Sequence, residues 1–279
     1  ASSYDPDYVQ LMESLKFDQG IYTDLQAGLE PFRQLLARSF MLAYFSVFRV
    51  YMDSVTATLT VYEYVTDKDP ELLTRLKPEE QMFALQMGQQ MQFDRRHKAA
   101  IGSFVETARR EYNNFYCDYW GNRDFQSQEG VTAFVDFWQS KEHKNIIDFF
   151  NYHQRTGMIV LLSEAMTRAG RGFSYLPNTV GAVVKLPAAV HEVMPSYMLA
   201  IHEMLHNITD PVVYHVLDLD PGRRSLDPED REGISIHMAV ENGVIITQYW
   251  LMEAVSPELT QAYLEVISGW TGTSIHSFD

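Results

Sequence analysis

Two acid-x-x-His pairs stand out along the chain: Asp94-Arg95-Arg96-His97 and Glu203-Met204-Leu205-His206. On a helix, positions i and i+3 share a face, so each pair can offer a carboxylate and an imidazole to one metal ion. With 37 acids and nine histidines in the chain, about one such pair is expected by chance, so the pairs need support from elsewhere. Two acids in apolar surroundings supply it. Glu63 lies within Leu59-Thr60-Val61-Tyr62-Glu63-Tyr64-Val65, and Glu164 follows Met158-Ile159-Val160-Leu161-Leu162-Ser163. A carboxylate on a buried face is costly unless it is paired or bound to metal. On the solvent edge of an amphipathic helix, either acid would need no such explanation.

The spacing links the four groups. Glu63 precedes Asp94 by 31 residues, with the midpoint beside Pro78, and Glu164 precedes Glu203 by 39, with the midpoint near Val183. Residues equidistant from the turn of an antiparallel hairpin meet across it, so each half of the chain would set one Glu against one acid-x-x-His. Four carboxylates and two histidines are the inventory of a carboxylate-bridged dinuclear bundle.

The elements that must position these residues read as helices almost throughout. Helical periodicity covers about Asp7 to Leu15, then a long run from about Thr23 to Thr66, with a Pro70 kink within Asp67 to Leu76. Pro78 suits the first position of the next helix, with Glu79 and Glu80 where the helix dipole favours acids, and that helix extends to about Trp120. Ser127 to Gly170 reads as helical again, with an interruption near Lys141 to Lys144. Arg171 to Pro187 is the longest irregular stretch and the one place with room for a short strand. A helix from Ala188 to Ile208 should stop before Pro211. A loop from Asp218 to Glu229 and helices over about Glu229 to Ala254 and Pro257 to Ser268 complete the chain. Helices of about 40 residues would be about 60 Å long. The expected fold is therefore all-α, a ferritin-like bundle of long antiparallel helices. It would form one domain over residues 1–279, with a metal-site core at about 24–210 and C-terminal helices at about 229–268.

Leu59 to Tyr64 with Asp94-x-Arg96-His97 resembles the first metal-binding half of the ferritin-like di-iron oxygenases. The likeness is to the catalytic subunit of bacterial multicomponent monooxygenases and to ribonucleotide reductase small subunits. Ile159 to Glu164 with Glu203-x-x-His206 resembles the second half. The resemblance implies that Glu63, Asp94 and His97 hold one iron and Glu164, Glu203 and His206 the other, with Asp94 or Glu203 bridging. It also implies a di-iron oxidoreductase that activates O2 against a small apolar or aromatic substrate, fed by an electron-donor protein and assembled as a homodimer.

A competing motif overlaps the same residues. His202-Glu203-Met204-Leu205-His206 is a full HExxH, the pattern in which two histidines bind Zn²⁺ and the Glu acts as general base. The third zinc ligand could be Glu232, Glu241 or Asp218. Against it, such helices normally lie on a sheet, and the sequence shows almost no strand. A third resemblance is to the helical family required for ubiquinone assembly, through His-Asp-x-x-His and the Leu176 to Gly181 stretch.

Composition bounds the partners. Apolar residues make up 46% of the 279, enough to bury a large core and exclude a disordered chain. A net charge of −15 with no basic block argues against nucleic acid. The single cysteine, Cys117, excludes an intramolecular disulfide, fits a reducing cytoplasm and, beside Tyr116, Tyr119 and Trp120, reads as a packed thiol. Neither a signal peptide nor a membrane span is legible, so a cytoplasmic protein is expected. His191, His215 and His237 read as surface or satisfied histidines, and Met82, Met87, Met91 and Met204 as core filler. Tyr62 and Tyr64 read as packing residues, and Arg96 as a group that orients a ligand.

Overall fold

A computed structural model describes residues 6–21, 30–32, 34–35, 48–49, 51–123, 128–166, 170–174, 178–224 and 229–277. These residues are mostly helical, with one three-stranded sheet. The chain divides into two compact units: Glu13–Arg123, and Ala1–Met12 with Asp124–Asp279. Helix α1 (Pro6–Asp18) opens the chain.

In the Glu13–Arg123 unit, the expected long helix to Thr66 is not continuous. Residues 52–54 form a bend, and Ser54 starts a new helix, α2 (Val55–Asp67), by accepting a hydrogen bond from the Ala57 amide at 3.0 Å. Most of residues 23–50 lies outside the described residues. Pro70 does not kink a helix but begins the short α3 (Pro70–Leu73), behind the N-cap Asp69. Pro78 opens α4 (Pro78–Gln90) as expected, and the Glu80 carboxylate accepts from the Lys77 amide at 2.9 Å and the Asp53 amide at 3.0 Å. The expected continuation to Trp120 is broken at residues 91–94, where Asp94 caps α5 (Arg95–Glu111). A π turn over Tyr112–Tyr116 and α6 (Cys117–Gly121) follow. Cys117 is exposed, not packed; beside it the Phe115 ring stacks on Tyr119 and the Tyr116 ring tilts against Trp120. Val61, Val65, Ala84, Ile101 and Val105 form the core of this unit.

In the second unit, α7 (Glu129–Trp138) and α8 (Lys141–Tyr152), separated close to the interruption expected near Lys141 to Lys144, precede a strand where helix was expected to run on to Gly170. Strand β1 (Gly157–Ser163) pairs in parallel with β3 (Thr179–Lys185), and β2 (Arg171–Ser174) pairs antiparallel with the far side of β3, giving the order β1-β3-β2. A short continuous apolar run such as Met158 to Leu162 does not distinguish a strand from a buried helix by periodicity, and β-branched Ile159 and Val160 favour the strand. The irregular stretch Arg171 to Pro187 holds the other two strands.

Helix α9 (Val193–Val216) crosses the sheet, packing on β3 and β2, and α10 (Arg231–Val255) packs along it, followed by α11 (Pro257–Thr271). Tyr197, Met198, Ile201, Met204 and Leu205 of α9 meet Val180, Ala182 and Val184 of β3, Val244 and Met252 of α10, and Tyr263 of α11 in one core. Contrary to expectation, α9 does not stop before Pro211. Proline removes the amide that would bond the carbonyl of residue 207, and the guanidinium of Arg155 occupies that carbonyl instead, at 3.3 Å. Among the described residues, no helix is long and apolar enough to cross a membrane.

Candidate metal centre

Helix geometry places His202 and His206 one turn apart, on the same face of α9, and that face looks toward α10. Glu241 of α10 completes the group. Its Oε2 lies 3.1 Å from His202 Nε2 and 3.6 Å from His206 Nε2. One ligand atom from each of the three residues lies within 4.8 Å of the others, and no other group of three His, Cys, Asp or Glu does so among the described residues. Donors at about 2.1 Å from a tetrahedral zinc lie about 3.4 Å apart, so the two measured separations bracket the spacing a zinc ion imposes. Two imidazoles and one carboxylate, with a fourth position open, is also the donor set of a catalytic zinc.

Around this triad the side chains are ordered by further hydrogen bonds. Asp210, one turn beyond His206, meets His206 Nδ1 at 2.7 Å, which leaves Nε2 as the ligating nitrogen. Arg224 follows a 3-10 turn at Pro221–Arg223 that is capped by Asp220. Its NH1 donates to Asp210 Oδ2 at 3.0 Å, its NH2 to Glu241 Oε1 at 2.8 Å and its Nε to His237 Nδ1 at 3.1 Å. Because that His237 nitrogen accepts, its 3.5 Å approach to Glu241 Oε1 is not an ion pair. Burial, together with the Arg224 charge, keeps the His237 imidazole below its ordinary range against the opposing pull of Glu241. His202 Nδ1 is buried and has no hydrogen-bond partner among the described residues, while the Trp270 ring stands edge-on to the imidazole, 5.6 Å between centroids.

The electrostatics follow from these contacts. Burial alone would raise the Glu241 carboxyl, but the hydrogen bonds and charges of His202 and His206 hold it far below the usual carboxylate range. Burial alone would lower His206, but Asp210 and Glu241 outweigh it and push the imidazole up to about 9. The two carboxylates are balanced by the Arg224 guanidinium and the His206 imidazolium, so a metal ion entering the site takes the place of the His206 proton.

Glu203 lies about 100° round α9 from His202. Its Oε2 accepts from the backbone amide of Gly172 in β2 at 2.8 Å. The strand comes this close because residues 170 and 172 are glycines: a Cβ on Gly172 would lie 2.4 Å from the Glu203 carbonyl oxygen, and one on Gly170 2.6 Å from Glu203 Cγ.

The other expected ligands are not gathered. Glu63 pairs with Arg109 at 2.8 Å, and Arg109 lies twelve positions along α5 from His97, about 18 Å of helix. Asp94 caps α5 through the His97 amide at 2.8 Å and meets His97 Nδ1 at 2.7 Å, with its side chain mostly exposed. These contacts lower the Asp94 carboxyl, the backbone bond most, and they account for the pair as a helix cap. Glu164 sits in the turn after β1, not on a helix opposite Glu203, so the hairpin symmetry argued from spacing does not exist in this half. Of the alternative third zinc ligands, Glu232 pairs with Arg223 at 2.6 Å on the surface, and Asp218 is exposed with a left-handed backbone beyond the end of α9. Only Glu241 joins the histidines.

Asp210 was legible in retrospect from its i+4 step after His206. Arg224 was not, since a loop gives no periodicity to read. Comparison with protein-family models, with curated proteins and with solved structures found no match to this chain.

Proposed function

We propose that the chain is a mononuclear zinc-dependent hydrolase acting on peptide amide bonds. The observation that carries the reading is the convergence of His202 Nε2, His206 Nε2 and Glu241 Oε2 from two packed helices. The objection raised from sequence, that no sheet lay beneath the motif helix, falls with β1, β3 and β2.

A bound zinc would supply Lewis acidity to a substrate carbonyl and to a water. The chain's own residues do the rest. Glu203 takes a proton from the water as its oxygen bonds to the carbonyl carbon, and then delivers that proton to the leaving amine as the C–N bond breaks. The atoms balance as one water added across one amide. Gly172 stands opposite Ala182 in the antiparallel pair, and its amide is directed to Glu203.

The test is a set of internally quenched peptides hydrolysed by zinc-loaded protein. Glu203→Gln should keep its zinc and lose about 10²–10⁴-fold in turnover, the range for removal of a general base. Undiminished hydrolysis by this variant would refute the assignment of Glu203. Failure of the loaded wild type to cleave any peptide of a diverse set would refute the substrate class.

A further inference from the structure

We propose that Arg224 is a positioning residue that restricts Glu241 to ligation through a single oxygen and fixes His206 at the same time. The proposal rests on the zinc reading above and adds to it the role of a residue outside the ligand set. A carboxylate next to a metal can bind through one oxygen or both. In Glu241 the two oxygens have different neighbours: Oε2 faces both imidazoles, at 3.1 and 3.6 Å, whereas Oε1 is held by Arg224 NH2 at 2.8 Å. Swinging Oε1 onto the ion would break a charge-assisted bond in a largely buried setting, where such bonds are strong.

The same guanidinium reaches Asp210 Oδ2 through NH1 at 3.0 Å, and the other oxygen of Asp210 holds His206 Nδ1 at 2.7 Å. One planar cation therefore sets the orientation of two of the three ligands. Its Nε bond to His237 at 3.1 Å fixes the plane of the fork. A lysine could not replace it, because an ammonium on a flexible stem lacks the rigid geometry that spans two carboxylates. With one oxygen from Glu241, two imidazoles and a water, a bound ion would be four-coordinate; freeing Oε1 would offer it a fifth donor.

Cobalt(II) substitution and zinc competition titrations on the whole chain test this. Wild type should show the intense visible bands of four-coordinate cobalt. Arg224→Met should weaken them to a five-coordinate spectrum and bind zinc about 10–100-fold less tightly, as loss of a ligand-orienting partner does. Arg224→Lys keeps the charge and should show the same spectral change. Spectra and affinities of both variants matching wild type overturn the clamp. If neither variant folds, X-ray absorption of the zinc-loaded wild type decides: one oxygen from Glu241 supports the clamp, two oxygens overturn it. Wild-type protein that takes up no metal overturns the zinc reading itself, an outcome distinct from either.

Discussion

Zinc should displace one proton when it enters this site near neutral pH. In the metal-free chain, His206 is held protonated by Asp210 and Glu241 up to about 9, well above the ordinary 6.5. Zinc needs the neutral imidazole, so the proton must leave. At pH 7 the imidazole is then protonated in all but about one molecule in a hundred, and removing that proton weakens zinc binding about a hundredfold relative to pH above 9, or about 2.7 kcal/mol at 1.36 kcal/mol per decade. Glu241 is already ionised, since the neighbouring imidazoles hold it far below the usual carboxylate range, and contributes no proton. The logarithm of the zinc affinity should accordingly rise by about one per pH unit between 7 and 8.5 and level off above about 9. The sign for the metal-free fold runs the other way: the raised imidazole contributes stability that is complete below 6.5 and is lost as pH rises through about 9. Calorimetric titrations of zinc at pH 7, in buffers that differ in ionisation enthalpy, count the released protons directly. A count near one is expected. A count near zero would show that His206 is neutral in the free chain, and would refute the reasoning from its ion pairs.

The remaining expectations concern single residues. Buried His143, whose Nδ1 meets the Tyr197 hydroxyl at 2.9 Å, is lowered by burial to about 4; the unfolded chain takes up a proton first, so stability should fall as pH drops from 6.5 toward 4, by about 2 kcal/mol at pH 5. Urea denaturation across that range should show this loss in wild type and a flatter profile in His143→Asn, and equal profiles would refute it. Gly172→Ala should cost about 1–3 kcal/mol, because its Cβ meets the Glu203 backbone and β2 must lift; zinc should remain bound while peptide turnover drops, and a variant as active as wild type would contradict the placement of Glu203 beside β2. Removing the half-exposed Glu63–Arg109 pair with Glu63→Ala should cost under about 1 kcal/mol and leave metal content unchanged.

The sequence made some of this legible and hid the rest for physical reasons. The HExxH spacing places two imidazoles on one helical face whatever the fold, so His202 and His206 could be read directly. Glu241 could be named only as one of three acids, because nothing in α10 says which of its faces meets α9. The apolar setting of Glu63 and Glu164 misled, since a run such as Met158 to Leu162 is equally suited to a strand, and a carboxylate can answer to an arginine as Glu63 does. Asp94 and His97 carried the spacing of a ligand pair yet serve as a helix N-cap, a role with the same i, i+3 geometry. Gly170 and Gly172 reveal their purpose only once β2 is known to lie on Glu203.

Metal analysis of untagged protein, by plasma emission beside single variants, tests the central claim most directly. One zinc per chain is predicted, lost in His202→Ala and fully retained in Glu164→Ala, because His202 faces Glu241 while Glu164 lies outside the three-residue group. Two irons per chain, unaffected by His202→Ala and depleted in Glu164→Ala, would contradict it and return the site to the di-iron arrangement.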